Sequence, residues 1–271
     1  MRIYVAGGPS FDTGRIVTRT GHGRFLLSFA DRSSAAFSRR LSAAPDVFLD
    51  SGAYGIHSGS AKTFPLSEYC DFIREHASGL SAYACLDVIG DWRQTFANLS
   101  GMRAAGLDPV PVFHRGEPLD VLHGMCRDAG YIALGGAGNL SLSAARKVLV
   151  PYLDSCWEVI GRHWPVRVHG FAMASQWILE RYPFYSADST AATKGAGMGK
   201  VVRVREGRST RVEWRRELSE TWNADLVDMG RDPSATSAAC GQARVESSIR
   251  SLLSTERYVT DLWSGKGISW Q

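Results

Sequence analysis

The sequence contains no run of about 18 apolar residues, which is the length that a membrane-spanning helix needs. A glycine pair, Gly7 and Gly8, interrupts the N-terminal apolar stretch before it reaches signal-peptide length. The five cysteines among 271 residues lie far apart and form no C-x-x-C pair. This spacing argues against a disulfide framework and against a zinc site of neighbouring cysteines. These absences predict a cytoplasmic protein.

Lysine is also scarce, because only 5 of the 31 basic residues are lysine and the rest are arginine. The formal net charge of +4 is unevenly distributed, since range 194–216 alone holds eight basic and two acidic residues. The rigid donor fork of arginine suits phosphate oxygens. The basic stretch is therefore a candidate phosphate-binding surface, although GC-rich coding produces the same arginine bias.

Eight short apolar runs alternate with amphipathic segments that carry helix-start signals. These runs predict strands at 3–6, 25–29, 47–49, 83–86, 110–113, 131–134, 166–168 and 184–187. Such alternation favours a parallel α/β sheet, and eight units fit a (β/α)₈ TIM-type barrel better than an open doubly wound sheet. We therefore expect a single barrel domain over residues 1–271.

The segment after the eighth predicted strand does not follow the barrel pattern. Basic runs with alternating apolar residues at 200–205 and 210–215 flank a turn of about four residues. They predict a basic β-hairpin inserted at about 196–218. Range 234–240 is expected to be a surface loop, and a helix from about 242 to 257 is expected to close the barrel.

Polar residues gather where the predicted strands end, which is the edge where barrel enzymes build their sites. Asp50, Asp87 and Asp188 each follow a strand. Three carboxylates at one barrel mouth can divide into a nucleophile, an acid/base and a recognition group. Each aspartate taken alone is better explained as a helix cap or turn residue, and it is the occurrence of three at matching strand ends that favours a functional site. His114 fits either a site or a packing role, and His169 is expected to be structural.

The segment 49–54, which contains Asp50, Ser51 and Tyr54, resembles the Asp-Ser-Gly-Gly-Tyr/Phe motif of tRNA-guanine transglycosylases. These are barrel enzymes that exchange guanine for a 7-deazaguanine. Further segments resemble family motifs in the same order, at 86–87, 112–116, 134–136 and 185–190. The resemblance covers about residues 45–195, and the string 182–190 is most similar to phage-encoded 7-deazaguanine DNA transglycosylases.

The resemblance implies a pentosyltransferase that replaces guanine in DNA with a 7-deazaguanine, such as 7-cyano-7-deazaguanine. Asp188 would form a covalent aspartyl-sugar intermediate, and Asp50 would act as the base. The same exchange on tRNA is an alternative, and so is a barrel that binds nucleic acid without catalysis. The family's zinc site is not expected, because only Cys240 follows Asp188. No other cofactor is implied, and the oligomeric state stays open.

The resemblance also assigns the binding residues. The free 7-deazaguanine base would be bound by Asp87, His114, Gly135, Gly136, Tyr54 and Ser51, with His114 in place of the family's glutamine. The phosphates of a flipped DNA nucleotide would be held by the hairpin residues Lys200, Arg203, Arg205, Arg208 and Arg211. A phage origin would place the protein in the host cytoplasm.

Overall fold

The computed structural model describes residues 1–7, 12–138, 140, 142–197, 200–205, 208–213 and 237–270. Eight strands form one parallel sheet in the order β4-β3-β2-β1-β8-β7-β6-β5. The strands are β1 (Arg2–Ala6), β2 (Arg24–Ser28), β3 (Asp46–Asp50), β4 (Ala82–Tyr83), β5 (Val112–His114), β6 (Tyr131–Gly135), β7 (Arg167–Gly170) and β8 (Ser186–Ser189). Their side chains are largely buried on both faces, as parallel sheets covered by helices require.

Helices follow most of the strands and cover the outside of the sheet. They are α1 (Thr13–Thr20), α2 (Ala35–Ala43), α3 (Ala53–His57), α4 (Leu66–Glu75), α5 (Trp92–Ala104), α6 (Leu119–Asp128), α7 (Leu142–Gly161), α8 (Gln176–Leu179), α9 (Ala191–Gly197) and α10 (Ser237–Ser264). Short 3₁₀ turns occur at Phe29–Asp31 and Ala77–Gly79. Asp12 and Asp91 cap α1 and α5 by accepting hydrogen bonds from Arg15 and Gln94 backbone N–H groups.

The sheet closes into a barrel between the chain beyond β4 and the chain just before β5. Ala84 and Val110 form an isolated parallel bridge there. The Cys85 N–H donates to the Val110 carbonyl at 2.9 Å, and the Val110 N–H donates to the Tyr83 carbonyl at 2.8 Å. The predicted TIM-type (β/α)₈ barrel is therefore confirmed.

The predicted hairpin is present as two antiparallel strands, β9 (Lys200–Arg205) and β10 (Arg208–Glu213), packed beside α9 and α10. Arg205 pairs with Arg208, so the connection is two residues long rather than about four. Positions 198–199, 206–207 and 214–218 of the predicted insertion lie outside the described residues.

The last helix is longer than the sequence predicts. It begins at Ser237, so the loop predicted at 234–240 is wrong for 237–240, and positions 234–236 lie outside the described residues. Among the described residues, no helix combines the length and the apolar character needed to cross a membrane.

Candidate active site

The strand ends at the carboxyl side of the barrel bring the predicted polar residues together. Asp50 ends β3, His114 ends β5, and Asp188 lies near the end of β8. Asp87 follows β4 by four residues, beyond the point where the barrel closes. Because parallel strands end at one edge, these four side chains share the barrel mouth.

Asp50 carries the strongest electrostatic perturbation among the three predicted aspartates. Burial, followed by the nearby carboxylates of Asp87 and Asp188, raises its pKa to about 7. The Gly52 N–H, which donates to Asp50 Oδ2 at 3.1 Å, and the Ser28 hydroxyl act in the opposite direction. Asp50 is therefore poised between its acid and base forms near neutral pH.

The turn after Asp50 explains the glycine of this motif. Gly52 has a φ of 88°, which favours glycine, and a Cβ there would lie 2.6 Å from the Ala30 Cβ. The turn fits its neighbour only without a side chain, and it aims the Gly52 N–H at Asp50.

Asp87, His114 and Glu117 form a buried charged group. His114 Nε2 lies 2.9 Å from Asp87 Oδ2, and His114 Nδ1 lies 3.3 Å from Glu117 Oε1. Burial alone would lower the pKa of His114, but the hydrogen bonds and charges of the two carboxylates outweigh it and raise the pKa to about 9. His114 is thus an imidazolium at neutral pH, held between two acidic groups.

Both oxygens of Asp87 are already engaged. The Ser51 hydroxyl, which is fully buried, donates to Asp87 Oδ1, while Oδ2 faces His114. Asp87 is therefore held between Ser51 and His114 in this structure. The predicted reading of a base by Asp87 would require the carboxylate to exchange these partners for a ligand.

The glycines after β6 are explained by close packing. A Cβ on Gly135 would lie 2.7 Å from His114 Cδ2, and a Cβ on Gly136 would lie 2.6 Å from Arg115 Cβ. Tyr54, four residues after Asp50, is 44% exposed, and its ring lies against Gly138 of this loop. An exposed ring beside the charged residues can stack on a flat ligand.

Asp188 is held by a strained loop. The Ala172 N–H donates to Asp188 Oδ1 at 2.7 Å. Ala172 has a φ of 57°, and it is the one non-glycine residue with positive φ in the described part of the chain. Backbone strain of this kind persists where surrounding contacts fix it, and it often occurs at functional sites.

His169 lies directly behind Asp188. Its ring is fully buried, with Nε2 3.5 Å from Asp188 Oδ1 and Nδ1 2.7 Å from the Ser186 hydroxyl. The expectation of a structural histidine is therefore incomplete, because His169 contacts a mouth carboxylate. Glu117 and Ala172 were not predicted either. Glu117 stands three residues after His114, a spacing that offered a signal, whereas no sequence pattern marks Ala172.

The hairpin residues Lys200, Arg203, Arg205, Arg208 and Arg211 lie on β9 and β10. The backbone register is described for these strands, and their contact with nucleic acid stays a prediction. Within the described residues, no group of three or more histidine, cysteine or acidic side chains is arranged to hold a metal ion. The absence of zinc and of any cofactor also stays a prediction.

The structure thus defines a TIM-type barrel with a carboxylate-rich mouth. No family model and no curated protein matches the chain. Solved structures that match include two mutant tryptophan synthase alpha-subunits from Pyrococcus furiosus. Each is 11% identical; one match covers 73% of this chain and 90% of that chain with a TM-score of 0.44, and the other covers 92% and 97% with a TM-score of 0.47.

A protein from Aquifex aeolicus VF5 matches at 9% identity, covering 94% of this chain and 93% of that chain with a TM-score of 0.49. The predicted base-exchange function, on DNA or on tRNA, is contradicted by these findings. The two matching structures described above whose names give an activity are tryptophan synthase alpha-subunits rather than transglycosylases.

Proposed function

We propose that the protein is an acid–base enzyme, in which Asp50 and Asp188 exchange protons with a small polar molecule at the barrel mouth. The observation that carries the proposal is the pKa of Asp50, raised to about 7 by burial and by neighbouring carboxylates. A group with its pKa near the working pH is both a usable donor and a usable acceptor. Asp188 lies close enough to contribute to this shift.

The charges around the mouth indicate the kind of molecule that binds there. Asp87 and Glu117 contact one imidazolium, His114, and Asp50 and Asp188 add two more carboxyl groups, so acidic groups outnumber cations among these side chains. A neutral molecule, or one with an amino or amidino group, is favoured over a phosphorylated one at this point. The exposed ring of Tyr54 suits a flat molecule.

The chemical roles follow from the surroundings of the two carboxylates. Protonated Asp50 can give its proton to a leaving or carbonyl oxygen or nitrogen, and Asp188 Oδ2 can accept a proton from the same molecule. The Ala172 N–H and His169 contact Asp188 Oδ1, which leaves Oδ2 as the oxygen for a ligand. His114 holds Asp87, which in turn accepts the hydrogen bond of Ser51.

A direct test uses pools of neutral and amine-bearing metabolites incubated with the protein in D₂O. An acid–base enzyme moves deuterium into carbon-bound positions or converts the compound, and mass spectrometry detects both. We expect the change with the wild type and with Asp261→Asn, an exposed control, and at least a hundredfold slower change with Asp50→Asn. Turnover that both Asp50→Asn and Asp188→Asn leave intact would refute the assignment.

A second test needs no substrate. The carboxyl group of Asp50, followed by carbon-13 NMR, is expected to titrate near pH 7. Titration near pH 4 would remove the observation on which the proposal stands, whatever the metabolite pools show.

A further inference from the structure

A chain of buried polar groups runs through the barrel interior to Asp188. The Tyr131 hydroxyl lies 2.6 Å from the Ser186 hydroxyl, which lies 2.7 Å from His169 Nδ1. His169 Nε2 then faces Asp188 Oδ1 at 3.5 Å. Tyr131 begins β6 and Ser186 begins β8, so the chain starts near the opposite end of the barrel from the mouth.

The ring of His169 is fixed by its neighbours. It stacks on Phe48 with ring centroids 4.6 Å apart, and its edge meets Tyr4 and Phe171 at 6.1 Å and 4.7 Å. Both Ser186 and His169 are fully buried. A ring enclosed in this way cannot reorient without displacing three aromatic side chains, so its two nitrogens keep their separate neighbours.

Two donor directions are compatible with these contacts. In one, Tyr131 donates to Ser186, Ser186 donates to His169 Nδ1, and the ring proton resides on Nε2. In the other, Nδ1 carries the proton and donates to Ser186, so that the lone pair of Nε2 faces the Asp188 carboxylate. The second arrangement places two acceptors against each other in a buried site, which is unfavourable.

One further observation favours the first direction. In the described part of the chain, His169 Nε2 has no hydrogen-bond partner within normal geometry, and the nearest carboxylate is Asp188. An ionised carboxylate can accept but not donate a hydrogen bond, so an Nε2 that faces Asp188 is more stable with a proton than with a lone pair.

We propose that His169 is a positioning residue for Asp188, with its tautomer set by the chain from Tyr131 through Ser186 so that the Nε2–H donates toward Asp188 Oδ1. The Ala172 N–H and the His169 Nε2–H then hold the same oxygen, Oδ1, and neither of them occupies Oδ2. This role rests on the proposed function, because it concerns how Asp188 meets a substrate. No proton needs to pass along the chain.

The tautomer can be read directly, without a substrate. Long-range ¹H–¹⁵N spectra of histidine-labelled protein at pH 7 distinguish Nε2–H from Nδ1–H rings, and loss of one signal in His169→Gln assigns His169. We expect Nε2–H to exceed Nδ1–H at least tenfold in the wild type. His22 is an internal reference, since its Nε2 lies 2.6 Å from the Arg24 carbonyl and must donate, and burial lowers its pKa to about 4.

Two variants separate this role from simple packing. Asp188→Ala removes the acceptor at Nε2, and Tyr131→Phe removes the donor to Ser186. Each is expected to lower the His169 tautomer ratio at least threefold, while the His22 signal stays unchanged. A ring that carries its proton on Nδ1 or on both nitrogens in the wild type overturns the proposal, even if neither variant folds.

The tautomer measurement and the turnover measurement test the two proposals separately. An Nε2–H tautomer that responds to Asp188→Ala supports the positioning role even if the metabolite pools show no turnover. Conversely, turnover that is lost in Asp188→Asn while His169 is an Nδ1–H ring would keep the enzyme and refute the role of His169. A ratio that Asp188→Ala leaves unchanged also refutes it.

Discussion

Ala172 shows how a single residue shapes the mouth. An alanine with a φ of 57° is strained by about 1–2 kcal/mol, because its Cβ approaches the backbone in the left-handed region. The conformation turns the Ala172 N–H toward Asp188. The strained backbone at Ala172 therefore supplies one of the hydrogen bonds that hold Asp188.

Glycine at this position should relieve the strain. We expect Ala172→Gly to be more stable than Ala174→Gly by about 1–2 kcal/mol in urea unfolding, since Ala174 has no positive φ and gains nothing from the change. Ala172→Pro should lose about 3 kcal/mol, because proline fixes φ near −65° and removes the N–H that Asp188 accepts. Equal stability of the two glycine variants would show that Ala172 is not strained.

At the residue scale, the sequence could predict which carboxylates face the mouth but not how they pair. Asp50, Asp87 and Asp188 follow apolar runs, and the edge of a parallel sheet brings such positions together. The contact of Asp87 with His114 depends on the relative positions of β4 and β5, which no local pattern encodes. The same reason hid the role of His169, whose contact with Asp188 joins β7 and β8.

At the scale of elements, the eight strands were predictable because each is a buried apolar run, and their observed bounds differ from the predicted ones by a few residues. The largest difference is at β4, which has two residues although four were predicted. The residues after Tyr83 leave the regular ladder to make the bridge between Ala84 and Val110. Barrel closure, a tertiary contact, therefore decided the strand length.

This closing seam should be the weakest part of the sheet. Two backbone hydrogen bonds join Cys85, Val110 and Tyr83, whereas β2 and β3 pair over five positions. We expect the Cys85 and Val110 amides to exchange with deuterium at least tenfold faster than the central amides of β2, as local opening requires fewer broken contacts. Equal protection in both places would mean that the barrel opens as one unit.

The last helix, α10, is attached to the barrel by Glu256. Its carboxylate accepts a hydrogen bond from the Ile3 N–H at 2.6 Å and pairs with the Arg24 guanidinium. Ile3 is the second residue of β1, and Arg24 is the first residue of β2. Glu256 thus satisfies two donors that the barrel presents to the helix.

Removal of this carboxylate should loosen the attachment. Glu256→Ala is expected to cost about 3 kcal/mol of unfolding free energy, because it leaves a partly buried guanidinium unpaired. Glu256→Gln keeps an acceptor for Ile3 and should cost about 1 kcal/mol. Glu158→Ala, which removes an exposed pair with Arg162, is the control and should cost under about 0.5 kcal/mol. Urea unfolding of the three variants provides the comparison.

For the whole molecule, the mouth makes stability depend on pH. The pKa of Asp50 is about 7 in the folded chain, against 3.8 as the ordinary value. Between these values the folded state keeps a proton that the unfolded state releases, so the contribution of Asp50 falls as pH rises from about 4 to 7. His114 acts over a higher range, since its stabilising contribution is complete below 6.5 and is lost as pH rises through about 9.

Asp50→Asn isolates the first of these contributions, because the amide cannot ionise. The variant and the wild type should have similar stability near pH 4. Above pH 7 the variant should be more stable by about 2–4 kcal/mol, since the wild type then holds three buried carboxylates at one mouth. Urea unfolding at pH 4, 6 and 8 measures the difference, with Asp261→Asn as a control that should show no trend. A difference that is constant with pH would show that Asp50 titrates alike in the folded and unfolded chains, and the mouth would then lack the proton that an acid–base enzyme needs near neutral pH.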